Sequence, residues 1–265
     1  MEELISVIIP TYNRAHCIRN AVESVIAQDY EQLEIIVVDD ASRDNTEEIV
    51  ASIKDSRIKY IYNQKNSGAA AARNIGIQVA QGNFIAFQDS DDIWLEGKLK
   101  KQLEVMKQGK YGMVYGCIER SYLDGHKEKI PRDAIQKEAK QGIIYPYLLA
   151  ESYISTQTML VKKEILGQVQ GFDEALKSYE DYDLAIRIAK CCNVGFVDEV
   201  LVQVNTLEDS IDMNMTRGII SSAYLLKKYE ADLKQYGLYD KKRSVVYEAA
   251  QAYGIWGPIE SFLGK

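Results

Sequence analysis

Phe84-Ile85-Ala86-Phe87-Gln88-Asp89-Ser90-Asp91-Asp92 is the stretch on which the fold turns, a short apolar run that ends in three carboxylates within four residues. Four consecutive apolar residues suit a strand buried on both faces, as parallel sheets require. Carboxylates crowded at its end repel one another and lose hydration, so they make physical sense where a divalent cation neutralises them. A single Asp would be enough to cap a helix starting near Ile93, which is the plainer use of the tetrad. Three acids point instead to metal or phosphate chemistry, in particular to a metal-bridged diphosphate.

Upstream, the pattern alternates between strand and helix. Ile5 to Ile9 is a continuous apolar run closed by Pro10, and Ile18, Ala21, Val22, Val25 and Ile26 then fall on one helical face. Ile35-Ile36-Val37-Val38 returns to strand character before Asp39-Asp40. Asp44 and Glu47 have the spacing of a capping box for a helix carrying Ile49, Val50 and Ile53, and Ile58 to Tyr62 reads as a third strand. Gly68 to Ala80 is Ala-rich and helical, with Gly82 as a stop before the strand at Phe84. Such alternation predicts an α/β fold, a parallel sheet with helices on both faces. Ligands bind beyond the carboxyl ends of such strands. Pro10-Thr11-Tyr12-Asn13, Asp39-Asp40 and Asp89-Ser90-Asp91-Asp92 all lie there, so an aromatic ring and two acidic clusters share one rim.

Downstream the regularity weakens. Lys98 to Lys107 is amphipathic, Met113 to Tyr122 is strand-like, and Asp124-Gly125 is a turn signal. Gly125 to Gln141, rich in charge, reads as a loop. Thr158 to Val161 reads as a strand, Tyr182 to Ala189 as a helix, and Phe196 to Val204 as a final strand pair, before helical character dominates from about Ile219.

The 265 residues, 46% of them apolar, are ample for one large domain or a domain with an appendage. The net charge of 32 − 39 = −7 argues against a nucleic-acid partner. Cys17, Cys117, Cys191 and Cys192 form no C-x-x-C pair and there are two histidines, so neither a zinc site nor a disulfide framework is expected, and a reducing cytosol is the natural reading. No charged leader with a cleavage site opens the chain, and no apolar stretch approaches the roughly 20 residues of a membrane span.

Each remaining motif has a chemical and a plainer reading. Asp39-Asp40 would make a turn or cap, but at the rim a carboxylate can accept a hydrogen bond from a ring N–H and select uracil or thymine. Asn66 to Asn74 opens a helix with small residues that let backbone approach a ligand and set N–H dipoles near negative charge. Arg73 lies in that helix, and its plainer use is pairing with a surface acid. Glu180-Asp181-Tyr182-Asp183 would satisfy a helix dipole as a first turn, yet a carboxylate there suits a general base acting on a hydroxyl.

Taken together, the chain resembles the family 2 glycosyltransferases with the GT-A fold over roughly Ser6 to Val204. The resemblance rests on Val7 to Arg14, Val37 to Ser42, Gly68 through Gly76, Phe87 to Asp92, Gly171-Phe172-Asp173-Glu174 and Glu180 to Leu184, in the family's order. It implies a GT-A catalytic domain over residues 1–205, divided near residue 110 into nucleotide and acceptor halves, with a helical extension over 206–265. It further implies transfer of a sugar from a nucleotide-diphosphate donor, UDP in particular, to a hydroxyl acceptor with inversion. Pro10, Thr11, Tyr12, Asp39 and Asp40 would hold the base and its surroundings. Gly68, Arg73, Asp89 and Ser90 would serve the ribose and diphosphate side, Asp91 with Asp92 the Mg²⁺ or Mn²⁺, and Asp181 the catalytic base. Two departures stand out: Leu95-Glu96 where many members carry proline, and Asn205 to Ser210 where many carry a histidine, with Asn205 or Asp209 as substitutes.

A nucleotidyltransferase making activated sugars would share sheet and metal, but opens with a Gly-rich basic loop that Pro10-Thr11-Tyr12-Asn13 does not supply. An aspartyl phosphohydrolase carries D-x-D after its first strand, not its fourth. A silent nucleotide-sugar binding module would have no need of Asp181. The acceptor expected from the resemblance is a glycan or lipid-linked sugar in surface polysaccharide synthesis. The aromatic stretch from Tyr247 to Phe262 is a candidate peripheral contact at the inner face of the cell membrane.

Overall fold

A computed structural model describes residues 3–122, 124–205 and 215–263. The first half is built as the alternation demands: β1 (Ile5–Thr11), α1 (Ile18–Ile26), β2 (Leu33–Asp39), α2 (Thr46–Ser52), β3 (Ile58–Tyr62), α3 (Ala69–Val79) and β4 (Phe84–Phe87). Every residue of β1 and β2 is buried, because helices cover both faces of the sheet. Neighbours on a strand serve opposite cores: Ile8, Ile36 and Phe87 pack with α3, whereas Val7, Ile9 and Val37 pack with α1 and Val50 of α2.

The chain continues with β5 (Ile93–Trp94), α4 (Lys98–Gln108), β6 (Tyr111–Ser121), β7 (Lys127–Ile130), α5 (Lys137–Lys140) and α6 (Tyr145–Ala150). A 3₁₀ turn (Thr156–Thr158) precedes β8 (Leu160–Lys162), α7 (Lys163–Gln168), α8 (Glu180–Cys191) and β9 (Asn193–Asn205). Four helices close the described chain: α9 (Met215–Lys228), α10 (Glu230–Gln235), α11 (Tyr239–Ala252) and α12 (Trp256–Leu263).

All nine described strands form one sheet in the order β3-β2-β1-β4-β8-β6-β9-β5, with β7 paired to β6. The β3-β2-β1-β4 block is parallel. β8 then runs antiparallel to both β4 and β6, while the long β6 and β9 pair in parallel. Pro10 is tolerated in a central strand because the pairing of β1 with β4 ends at Ile8 opposite Phe87. The close approach of α3 to β1 requires glycine at position 76, where an added Cβ would fall 2.5 Å from Ile8 Cγ2.

Local chemistry moved several boundaries. Asp44 does not cap through Glu47. Its carboxylate accepts from the amide and hydroxyl of Thr46 and from the amide of Ala15, so it ties the loop after β1 to the loop after β2, and α2 begins at Thr46 with Asn45 as its N-cap. No helix starts at Ile93, because Ile93 and Trp94 pair antiparallel with Gln203 and Val202. The plainer capping use of the tetrad is thereby set aside. The charged stretch after Gly125 holds β7 and α5, since Lys127 and Lys129 face Glu119 and the Asp133/Asp198 pair and so make a solvated hairpin. The expected final strand pair is the single strand β9, bulged against β6 near Gly116.

Candidate active site

At the carboxyl end of β1, Pro10 and Thr11 are buried and Tyr12 is 42% exposed, which leaves its side chain available for stacking. Asn13 adopts φ +53°, its amide N–H donates to Ser42 Oγ (2.8 Å), and its side-chain oxygen accepts from the Arg43 amide (2.8 Å). Asn is among the residues that tolerate this left-handed conformation. The loops after β1 and β2 are therefore laced together.

Asp39 and Asp40 are both buried, and both are occupied from within the protein. Asp39 accepts from the Ser42 amide (2.7 Å) and the Tyr60 hydroxyl (2.5 Å). Burial, followed by the hydrogen bond to Asp39, pushes the Tyr60 phenol far above its usual range. Asp40 accepts from the amides of Ser67 (2.9 Å) and Gly68 (2.7 Å) and from the Asn63 side chain (2.9 Å). The carboxylate expected at the base thus anchors the loop leading into α3. Gly68 opens that helix at φ +96°, and a Cβ placed there would meet nothing within 4 Å, so glycine answers a backbone demand here, not a packing one.

Arg73 is the centre of the site. It is 5% exposed, and its Nη2 donates to Asp89 Oδ1 at 2.7 Å while its Nη1 donates to Glu180 Oε1 at 2.8 Å. Its guanidinium lies over the Phe172 ring, 5.3 Å from the centroid, and that ring meets Phe87 edge-on at 5.2 Å. Burial opposes its charge, but the two carboxylates outweigh burial and raise its pKa. Asn74 beside it donates to the Phe172 carbonyl (3.0 Å) and accepts from the Phe172 amide (2.8 Å), which pins the Gly171 to Glu174 turn to α3.

The remaining acids divide by exposure. Asp91 stands 3.9 Å from Arg14. Ser90 and Asp92 are buried, and Asp92 accepts from Gln157 Nε2 at 2.8 Å. Burial first, then the charges of Asp89 and Asp91, push the Asp92 carboxyl well above the usual carboxylate range, with Gln157 and Arg120 opposing. An excess of negative charge that costs this much suits a bound divalent cation. Among the described residues no three Asp, Glu, His or Cys side chains converge as a complete metal site.

Glu180 and Asp181 open α8 as its first turn, with Asp181 partly exposed and its carboxylate accepting from the Tyr182 amide at 2.7 Å. Asp183 of the same turn is fully buried, salt-bridged to Arg187 and Lys228 and bonded to Tyr229. Asn205 ends β9, and Asp209 lies outside the described residues. Arg14, Asn74, Gln157 and Glu180 were not singled out from the sequence. Arg14, Asn74 and Glu180 stood inside the quoted motifs, whereas nothing local marked Gln157.

A parallel nucleotide-type half joined through an antiparallel strand to a second half, with acids at the shared rim, is the GT-A architecture of glycosyltransferases. The chain belongs to glycosyl transferase family 2, whose model matches residues 6–169. It is 36% identical over 197 residues to WfgD of Escherichia coli, a UDP-Glc:alpha-D-GlcNAc-diphosphoundecaprenol beta-1,3-glucosyltransferase, covering 74% of this chain and 73% of that one. TuaG of Bacillus subtilis (strain 168), assigned by name to teichuronic acid biosynthesis, is 31% identical over 230 residues, covering 86% and 88%. The glycosyltransferase RC0461 of Rickettsia conorii is 34% identical over 84% of this chain, which spans 38% of that relative's length. Among solved structures, S. aureus TarS 1-349 in complex with UDP-GlcNAc superposes with a TM-score of 0.69 at 22% identity, covering 93% of this chain and 71% of that one. Mannosyltransferase PcManGT from Pyrobaculum calidifontis, in complex with GDP-Man and Mn2+, gives 0.69 at 21% identity, covering 95% and 76%.

Proposed function

We propose that this protein transfers a sugar from a UDP-sugar to a hydroxyl of a glycan or lipid-linked sugar, with inversion at the anomeric carbon, in surface polysaccharide synthesis. The observation that carries the reading is Arg73, whose one guanidinium holds Asp89 of the acidic rim and Glu180, the neighbour of Asp181. Carboxylates from the two halves thereby meet at one point, where a donor and an acceptor would have to meet.

In this reading Tyr12 stacks on the base, with Pro10, Thr11, Asp39 and Asp40 shaping its pocket. Gly68, Arg73, Asp89 and Ser90 serve the ribose and diphosphate. Asp91 and Asp92 would hold the divalent cation, which supplies charge neutralisation to the diphosphate when bound. Asp181 takes the proton of the acceptor hydroxyl as that oxygen bonds to the anomeric carbon and the bond to the diphosphate oxygen breaks, its electron pair leaving with the diphosphate. The name of WfgD supports a lipid-diphosphate acceptor for this chain as well.

Calorimetric titration with UDP, GDP, CDP and dTDP, each with and without Mn²⁺, tests the donor. Metal-dependent binding of UDP alone is expected, and absence of binding to all four would reject the reading. A lipid-linked acceptor would bring the C-terminal helices to a membrane surface. Among the described residues no helix is long and apolar enough to cross one. Liposome flotation decides the contact: protein that stays wholly in the soluble fraction has none.

A further inference from the structure

We infer that Lys228 is a positioning residue for Asp181: α9 grips α8 through it and sets how the first turn of α8 is presented to the acidic rim. The inference rests on the reading of Asp181 as the base.

Lys228 Nζ donates to Asp173 Oδ2 at 2.6 Å and lies 2.7 Å from Asp183 Oδ1. Asp173 belongs to the turn that Asn74 pins to α3, and Asp183 belongs to the first turn of α8. One ammonium therefore ties the base helix to a turn already fixed against the donor half. Asp183 is the firmest point of that helix. It is fully buried and also accepts from Tyr229 Oη (2.7 Å) and Arg187 Nε (2.8 Å). Charge-assisted bonds to a buried carboxylate are strong, and shifting it would leave charge uncompensated.

The helix itself converts that anchor into an orientation. Successive residues turn by about 100°, so Asp181, two positions earlier, lies roughly 200° around the axis from Asp183. Pinning Asp183 on the C-terminal side therefore presents Asp181 on the opposite side. Two more ties run along the same helix: Lys242 Nζ to the Tyr182 hydroxyl at 3.2 Å and Lys190 Nζ to Asp232 at 3.0 Å. Asp173 and Asp183, one acid from each of the two downstream motifs, are thus both held by Lys228 of α9.

The test compares Lys228→Met, Lys228→Arg and Asp181→Asn in the full chain. The substrates are UDP-glucose, Mn²⁺ and N-acetylglucosaminyl diphosphate on an undecyl chain. Misplacement of a reacting group predicts a fall in kcat of about tenfold or more for Lys228→Met, with donor KM unchanged and with recovery in Lys228→Arg. Wild-type kcat in Lys228→Met beside an inactive Asp181→Asn would overturn this inference alone. Wild-type transfer by Asp181→Asn would overturn the base assignment and this inference with it. Equal loss of kcat and donor affinity in Lys228→Met would show general loosening and also overturn it. If Lys228→Met does not fold, Asp173→Asn weakens the same bridge and is read by the same split. One readout requires no acceptor. The Asp183 amide, bonded to the Tyr179 carbonyl at 3.0 Å, should exchange about tenfold faster in Lys228→Met and recover in Lys228→Arg. Unchanged exchange overturns the inference.

Discussion

Arg73 and Glu180 are 107 residues apart in sequence and 2.8 Å apart in space, joined by an ion pair that is largely shielded from water. The same guanidinium holds Asp89, so the first turn of α8 and the rim that follows β4 are set by one side chain.

Replacing that fork by a point charge should be costly. Lysine cannot span two carboxylates in the planar geometry of arginine, so Arg73→Lys is expected to lose about 1–3 kcal/mol of stability. Urea denaturation measures it; an unchanged midpoint would mean that Asp89 and Glu180 do not depend on the bridge.

Asp91 and Asp181 should separate binding from chemistry. Asp91→Asn is expected to weaken Mn²⁺-dependent UDP binding about tenfold or more, whereas Asp181→Asn keeps donor affinity and loses transfer. Equal loss of donor affinity in both, seen by calorimetry, would abolish this division of labour.

Asp40→Asn replaces an oxygen that accepts from the Ser67 and Gly68 amides with an NH₂ group or leaves one of them unpaired. A stability loss of about 1–3 kcal/mol is expected, with faster amide exchange confined to the loop before α3. Exchange that rises uniformly across the sheet would argue against the anchor.

At Gly76 the helix gains from alanine are outweighed by steric contact, since the new Cβ would meet Ile8 Cγ2 at 2.5 Å in a fully buried strand. Gly76→Ala should cost about 1–3 kcal/mol. Thermal melting reads it, and a raised Tm would show that α3 can move off β1 freely.

Glu34 supplies the pH dependence. Burial alone would raise its pKa, but hydrogen bonds from Lys59 (2.6 Å), Ser6 (2.5 Å) and the Gln81 amide (2.5 Å) outweigh burial and hold it below the usual carboxylate range. A carboxyl depressed in the folded state contributes stability that is fully present above its unfolded pKa, near 4.3, and is lost as pH falls through the folded value. The Tm gap between wild type and Glu34→Gln should therefore be widest near neutral pH and close as acid is added below about pH 4. A gap that is constant with pH would assign the effect to packing.

Much of the fold, and the place of the candidate site on it, was legible because its signals are local. The runs Ile5 to Ile9, Ile35 to Val38 and Phe84 to Phe87 declare buried strands, and the acids that follow mark their carboxyl ends. What escaped was of two kinds. Asp44 looked like the cap of a box with Glu47, but its carboxylate is claimed by Thr46 and by Ala15 in the neighbouring loop. Gly125 to Gln141 looked like a loop because β7 is a solvated hairpin whose lysines pair with acids across the strand, which removes the apolar alternation a strand normally shows.

By itself the sequence determined the α/β alternation, the edge of the sheet where the candidate site lies and the residue types available there, because strand burial and helix periodicity are written in neighbouring residues. Tertiary structure alone decided which of those residues meet. That Arg73 joins Asp89 to Glu180, that Asp40 is spent on the loop before α3, and that Lys228 holds Asp183 are contacts between segments far apart in the chain. They are selected by the way α3, α8 and α9 share one core with the sheet and leave no periodic trace in sequence.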